Sequence, residues 1–172
     1  MLIWINGAFG VGKTAAARRL RERDRRWRVF DPEWVGYMLR ANLTEVAFDD
    51  FQDLPAWRSL VPIVASEVIK HTRDDLVAVQ TVLHEHYWQE LASGFTEREI
   101  TLVHVVLDAD DETLRTRISE DREEPTALTW RLNHIPAYRE ARSWLLACAD
   151  VVIDTARGGP TDIADTILAA VP

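Results

Sequence analysis

Short apolar runs alternate with amphipathic stretches along the whole chain. Residues 2–5 (Leu-Ile-Trp-Ile) are continuously apolar and read as a strand, and helical spacing follows over 13–26. A second strand over 27–30 is closed by Asp31-Pro32. Helical spacing returns over 33–43, with Trp34, Tyr37 and Met38 available for one face. The pattern then predicts a longer helix over 55–71 bent at Pro62, a strand over 76–79, and a helix over 84–93 with Gly94 as its C-terminal cap. A strongly apolar strand covers 100–107. The helix over 110–120 has acidic residues in its first turn, which suit the helix dipole, and 126–148 is mostly helical. A fifth strand over 151–153 and a last helix over 161–170 complete the series.

Strand and helix in regular alternation imply parallel pairing with right-handed crossovers, and strands apolar throughout imply a sheet covered on both faces. The expectation is one α/β domain over residues 1–172, a three-layer sandwich of a five-stranded parallel sheet with helices on both faces. Composition narrows its role. Of the 172 residues 47% are hydrophobic and 28% charged, proportions that exclude a disordered or fibrous chain. The formal net charge of −8 weighs against nucleic-acid binding, which needs a basic surface. The Arg-rich stretch 18–28 is interleaved with Leu20, Glu22 and Asp24, as in a solvated helix face. The one cysteine, Cys148, excludes an internal disulfide and a cysteine zinc site. No basic n-region precedes the first strand, and no apolar run is long enough to span a bilayer, so a cytoplasmic protein is expected.

The strongest chemical signal is Gly7-Ala8-Phe9-Gly10-Val11-Gly12-Lys13-Thr14. It matches G-x-x-x-x-G-K-[ST] at every fixed position and lies between a strand and a helix, as a phosphate-binding loop must. Glycines let the backbone wrap a phosphate with its N–H groups inward, and the helix N-terminus adds partial positive charge. Lys13 is expected to reach the β- and γ-phosphates and the Thr14 hydroxyl to ligate Mg²⁺, which makes ATP and Mg²⁺ the implied cofactors. The third strand ends Val77-Ala78-Val79-Gln80-Thr81 without an acid, and no N-K-x-D motif is present. Both absences favour a P-loop domain of the nucleotide-kinase kind, with a small mobile lid, over a motor or switch NTPase.

On the acceptor side, Asp31 ends the second strand. A carboxylate there suits a general base for an acceptor hydroxyl, or a Mg²⁺ contact through water. Asp31 before Pro32 also suits a helix N-cap, and the two roles are compatible. Arg117 and Arg122, on or just after the helix over 110–120, are candidates to neutralise the transferring phosphoryl group or to stack on adenine, with surface ion pairing as the competing reading. The segment 49–58 brings Gln52, Trp57 and Arg58 to the region where an acceptor binds, although core packing is the simpler use of Phe51 and Trp57 taken singly. His84 and His86 lack a third metal ligand, and a helix start is the simpler reading.

Two C-terminal segments resemble small-molecule kinases: Val106-Leu107-Asp108-Ala109 with Arg117 beyond resembles their strand and lid helix, and 149–155 their last strand, near which adenine lies. The opening Leu2-Ile3-Trp4-Ile5-Asn6-Gly7-Ala8-Phe9-Gly10 is more specific and resembles the tunicamycin-resistance ATP-binding protein family. Agreement extends to Asp31-Pro32-Glu33, Asp49-Asp50-Phe51-Gln52, Trp57-Arg58 and Thr81-Val82-Leu83-His84. The resemblance implies that residues 7–14 bind ATP and that Asp31, Gln52, Trp57, Arg58, Thr81 and His84 face the acceptor, with Lys13, Asp31 and Arg117 as the catalytic set. It implies a Mg·ATP-dependent phosphotransferase acting on a hydroxyl of tunicamycin or a similar small molecule. Two alternatives stand beside it: an ATP-dependent protein that sequesters the drug without chemistry, and a kinase for another acceptor such as chloramphenicol or a sugar. The chain departs from the family in a shorter C-terminal region, which leaves no expectation of a membrane span.

Overall fold

The computed structural model of the chain describes residues 1–121 and 127–171. In chain order they form β1 (Leu2–Gly7), α1 (Lys13–Arg23), β2 (Trp27–Phe30), α2 (Glu33–Asn42), α3 (Pro55–Thr72), β3 (Asp75–Val79), α4 (Glu85–Thr96), β4 (Leu102–Asp108), α5 (Asp111–Glu120), α6 (Leu128–Asn133), α7 (Ile135–Cys148), β5 (Val151–Asp154) and α8 (Pro160–Ala170). All strand pairs are parallel, and the sheet order is β2-β3-β1-β4-β5. β1 is therefore central, hydrogen-bonded to β3 and β4, and all of its residues are buried.

Successive side chains of a strand point to opposite faces, so a central apolar strand feeds two cores. Ile3 and Ile5 pack with Leu20 of α1, Leu114 and Ile118 of α5, Leu145 of α7 and Ile167 of α8. Leu2 and Trp4 pack with Trp57 and Val61 of α3 and Trp88, Leu91 and Phe95 of α4 on the other face. Each fully buried side chain of this size contributes about 1.5–3 kcal/mol relative to exposure. The three-layer α/β sandwich expected from the alternation of strands and helices is the fold observed.

Three of the departures from the pattern have a clear local cause. α1 stops at Arg23, where Asp24 turns extended and its carbonyl accepts from Trp27 N–H at 3.2 Å, so the helix does not reach Arg26. Gly94 is not a cap: α4 continues to Thr96, and the residue in the left-handed region is Glu99, at φ 57°. A Cβ on Gly94 would lie 2.8 Å from Pro62 Cγ, so this glycine lets α4 close onto α3. The helical region over 126–148 is two helices that meet at His134, with Pro136 in the first turn of α7, where its missing N–H costs no hydrogen bond. Thr126 itself lies outside the described residues.

Gly36, in the middle of α2, offers a direct test of this packing. Alanine favours a helix interior over glycine by about 1 kcal/mol. A Cβ here would nevertheless stand 2.2 Å from Phe51 Cγ. We expect Gly36→Ala to destabilise the chain by about 1–2 kcal/mol in urea unfolding, through overpacking. Combining it with Phe51→Leu should cost less than the two changes summed.

Candidate active site

A cleft of about 1620 Å³ opens at the C-terminal ends of the strands, between the loop after β1 and the segments after β2 and β3. That exceeds the 300–1,000 Å³ typical of a pocket for one drug-sized ligand, so there is room for a nucleotide and an acceptor. The loop is built on two tight backbone positions. Gly7 takes φ +135°, and a Cβ on it would lie 2.3 Å from Leu107 O of β4. Gly10 takes φ +78°, with Ile118 of α5 2.7 Å from its would-be Cβ.

Lys13 is buried at the start of α1. Its Nζ donates to Gly7 O at 2.9 Å and Ala8 O at 2.7 Å, and it stands 5.3 Å from the Phe9 ring centroid. Burial, then the Arg131 guanidinium charge, bring its pKa down from 10.5 to about 7. The lysine is therefore held by the loop's own carbonyls, with its charge poised near neutral pH. Thr14 is exposed in the first turn of α1 and borders the cleft beside it. Phe9, Gly10 and Gly12 border the cleft as well. Ala8 and Val11 turn their side chains into the core, and Val11 N–H donates to Ala8 O at 3.4 Å. Gly7 differs from its expected role: its N–H donates to Asn6 Oδ1 at 2.8 Å, so its work is the close approach to β4.

The buried Asn6 side chain joins two strand ends. Its Oδ1 also accepts from Val82 N–H at 3.0 Å, and its Nδ2 donates to Val82 O at 3.1 Å. The neighbouring His104 ring, with Nε2 3.5 Å from Asn6 Nδ2, is pushed by burial down to about 4 and is neutral at physiological pH. Thr81 borders the cleft, and its hydroxyl donates to Gly7 O at 2.9 Å. Gln52 borders it too, with Nε2 donating to Thr81 O at 2.9 Å. Exposed His84 completes this wall.

Asp31 faces the same cleft from the end of β2, exposed, and its Oδ1 accepts from Glu33 N–H at 2.9 Å. It thus bonds the first N–H of α2 while bordering the cavity. Trp57 and Arg58 do not reach the cleft. Trp57 is fully buried, and its indole N–H donates to Pro32 O at 3.0 Å. Arg58 is buried behind the wall, where its Nε donates to Glu90 at 2.8 Å, Nη1 bonds Gln52 O, and its guanidinium lies over Tyr87. Both support this wall of the cleft from behind and do not line it.

Arg117 borders the cleft with its guanidinium engaged by Thr155, donating to Oγ1 at 2.9 Å and O at 2.8 Å. Arg122 lies outside the described residues. The cation that bears on Lys13 is Arg131 of α6, which the sequence reading passed over. α6 rests on the phosphate loop through rings: Phe9 lies 4.7 Å from Trp130 and 5.5 Å from His134. The spacing Phe9…Trp130-Arg131…His134 carries no local motif, so only the fold reveals it. Behind α6, α7 is tied to β4: Tyr138 Oη and Arg142 Nη2 donate to Asp108 at 2.7 and 2.6 Å. Burial pushes the Asp108 carboxyl up, but these bonds and the Arg142 charge outweigh it and hold it below the usual range.

Among the described residues no group of three or more His, Cys, Asp and Glu could hold a metal ion, and no helix is long and apolar enough to cross a membrane. A family model described as an AAA domain matches residues 2–155. The chain is 28% identical to the tunicamycin resistance protein of Deinococcus radiodurans, with a TM-score of 0.78 over 98% of this chain and 93% of that one. A sugar kinase from Janibacter superposes with TM-score 0.64 at 16% identity, covering 98% of this chain and 92% of that one. Shikimate kinase from Acinetobacter baumannii gives 0.58 at 20% identity, covering 97% and 90%. The last two share the P-loop kinase fold. No curated protein sequence matches the chain.

The Lys13 environment sets a pH dependence. In the free site the ammonium loses its proton as pH rises through about 7, whereas phosphate oxygens beside it favour the charged form. A polyphosphate is therefore expected to bind with uptake of up to about one proton above pH 7, its affinity falling as pH rises further. Calorimetry at pH 8 in buffers of different ionisation enthalpy measures this uptake, and Lys13→Met should abolish it.

Proposed function

This chain belongs to the AAA domain family, and we propose that within it the chain is a Mg·ATP-dependent phosphotransferase acting on a hydroxyl of tunicamycin or a similar small molecule. The observation that carries the reading is one cleft with a lysine-bearing phosphate loop on one wall and the Asp31 carboxylate on another. The 28% identity to a protein described by tunicamycin resistance supports the substrate class.

In this mechanism Lys13, held at the loop by the Gly7 and Ala8 carbonyls, turns its ammonium to the β- and γ-phosphate oxygens and neutralises charge as the γ-phosphoryl group departs. The acceptor hydroxyl gives its proton to Asp31, its oxygen forms the new bond to phosphorus, and the bond from the γ-phosphorus to the bridging oxygen breaks, leaving ADP. Arg131, whose charge already acts on Lys13, takes the lid position beside the transferring group. Arg117, fixed by Thr155, borders the nucleotide side. Thr14 offers one hydroxyl at the cleft and the described residues form no carboxylate cage, a donor set that fits a Mg²⁺ held mostly by phosphate oxygens and water. Bound there, Mg²⁺ supplies charge neutralisation on the phosphates.

Sequestration of the drug without chemistry is the second reading, favoured by the engagement of Asp31 as a cap. Mass spectrometry of tunicamycin incubated with Mg·ATP and the purified chain separates the two. A gain of one phosphoryl mass, absent with Lys13→Ala, is the expected result; unmodified drug, bound tightly only with ATP, would favour sequestration. Asp31→Asn keeps an oxygen to cap α2, yet it should lower turnover by at least about 10²-fold while ATP affinity stays within about twofold.

A further inference from the structure

The two sides of the cleft carry opposite charge. Around the phosphate loop it is bordered by Lys13, Arg18, Arg21, Arg117 and Arg131, which outnumber the acids Glu120, Asp121 and Glu140 there. Between β2 and α3 it is bordered by Asp31, Glu33, Asp49, Asp50 and Asp53. The cation on that second side, Arg40, lies over the Phe48 and Phe51 rings at 5.2 and 4.6 Å. The hydrogen bonds of the same wall point the same way. Gln52 is 7% exposed, and its Nε2 faces two acceptors, Thr81 O at 2.9 Å and Asp50 Oδ2 at 3.4 Å, which fixes the orientation of the amide. Its Oε1 has no donor among the described residues and is not sealed in the core, so it is left to the cleft that Gln52 borders. A ligand that displaces water there must supply a donor or leave this oxygen unsatisfied. Two tyrosines on the wall have already spent their hydrogens: Tyr37 Oη donates to Glu33 at 3.3 Å and Tyr87 Oη to Asp53 at 3.2 Å. Both hydroxyls stay protonated, Tyr37 pushed up chiefly by the Glu33 charge and Tyr87 by burial and its bond to Asp53. What they offer a ligand is oxygen lone pairs. His84 and Gln80 retain hydrogens to donate.

We propose that this wall selects its ligand by hydrogen-bond donors and charge: it takes a polyol or amino-polyol group, uncharged or cationic, rejects one that carries a carboxylate or phosphate there, and uses Gln52 Oε1 as a specificity-determining acceptor. The proposal rests on the reading of this wall as the acceptor side of a phosphotransferase, and it narrows the class of that acceptor. A hydroxyl or amine gives a hydrogen to Oε1 or to a carboxylate, and an ammonium gains the attraction of the charges as well. An anionic group would meet lone pair with lone pair, desolvated and unpaired, beside five carboxylates. The same polarity sorts the two ligands of one cleft. A polyphosphate is drawn to Lys13 and repelled from the opposite wall, so neither ligand occupies the other's place.

One sugar ring in three charge states supplies the probes: glucosamine, glucose and glucuronate. Saturation-transfer NMR titrations with the full chain holding Mg·ADP rank them, the nucleotide keeping the carboxylate probe away from Lys13. Three variants locate the discrimination. Gln52→Leu removes the amide oxygen but also the bond to Thr81 O, so two carboxylate variants carry the test if that chain fails to fold. Asp49 has no hydrogen bond or ion pair among the described residues, and Asp49→Asn changes charge alone. Asp53→Asn keeps an oxygen for the Asp50 N–H, which Asp53 Oδ2 accepts at 3.3 Å.

Glucosamine and glucose should bind, and glucuronate should bind at least about tenfold more weakly than glucose. Each carboxylate removed in the double variant Asp49→Asn/Asp53→Asn should narrow that ratio by about threefold. Gln52→Leu should weaken glucose by about tenfold, the size expected for one hydrogen bond to a desolvated oxygen. Glucuronate binding as well as glucose overturns the proposal, as does no binding by either glucosamine or glucose. A glucose-to-glucuronate ratio unchanged in the double variant overturns it too, because the bound nucleotide would then be doing the rejecting. Failure to bind Mg·ADP would overturn the nucleotide site instead, and the three probes are then ranked on Lys13→Ala without nucleotide, with the same outcomes expected. The expected ranking without phosphoryl transfer to tunicamycin would sink the phosphotransferase reading and leave the selectivity of the wall standing.

Discussion

The structure depends on a steric constraint at one residue. β1 is the central strand and the phosphate loop springs from its last residue, so the backbone must turn out of the sheet while still against β4. At Gly7 the carbonyl of Leu107 lies 2.3 Å from where a Cβ would be, at a φ that side chains rarely adopt. Any side chain there would push the loop off the sheet. Asn6 sets the other half of the turn by holding Gly7 N–H with one side-chain oxygen and fastening Val82, in the segment after β3, with the same group. The sheet centre and the site are thus one structure, and the loop's geometry is inherited from strand pairing.

The cleft wall that carries Asp31, Gln52 and His84 follows the same economy. Trp57 and Arg58 lie in the core, yet they decide where the wall stands: Trp57 holds Pro32 O beside Asp31, and Arg58 bonds Gln52 O. The outward residues Asp31, Gln52 and His84 present polar groups on a surface that apolar packing fixes from behind. This division explains how residues that never touch a ligand can accompany those that border the cleft in the same short segments.

Periodicity and spacing made much of this legible. Five apolar runs marked the strands, and the phosphate-loop motif between strand and helix marked the site. Asp31 was visible at the start of α2 because Asp before Pro has a simple meaning at a helix start. What remained hidden depends on distant contacts. Gly94 looks like a cap because glycine usually ends helices, but here it makes room for Pro62 of α3. Core packing was already a reading of Trp57, but Arg58 sits in a segment rich in polar residues, and only the completed packing shows it turned inward. Arg131 stands 118 positions from Lys13, in a helix with no motif, and its influence exists only once α6 lies on Phe9.

α6 has none of its residues buried. It is held over the loop by the rings of Phe9, Trp130 and His134 and by an ion pair between Arg131 and Asp121. The sheet and its two cores open only with global unfolding, whereas a six-residue helix attached this way opens at a small fraction of that free energy. The molecule therefore separates two stabilities. The floor of the site is as durable as the fold, and the cover above Lys13 can exchange with solvent many times in the lifetime of a single folded chain.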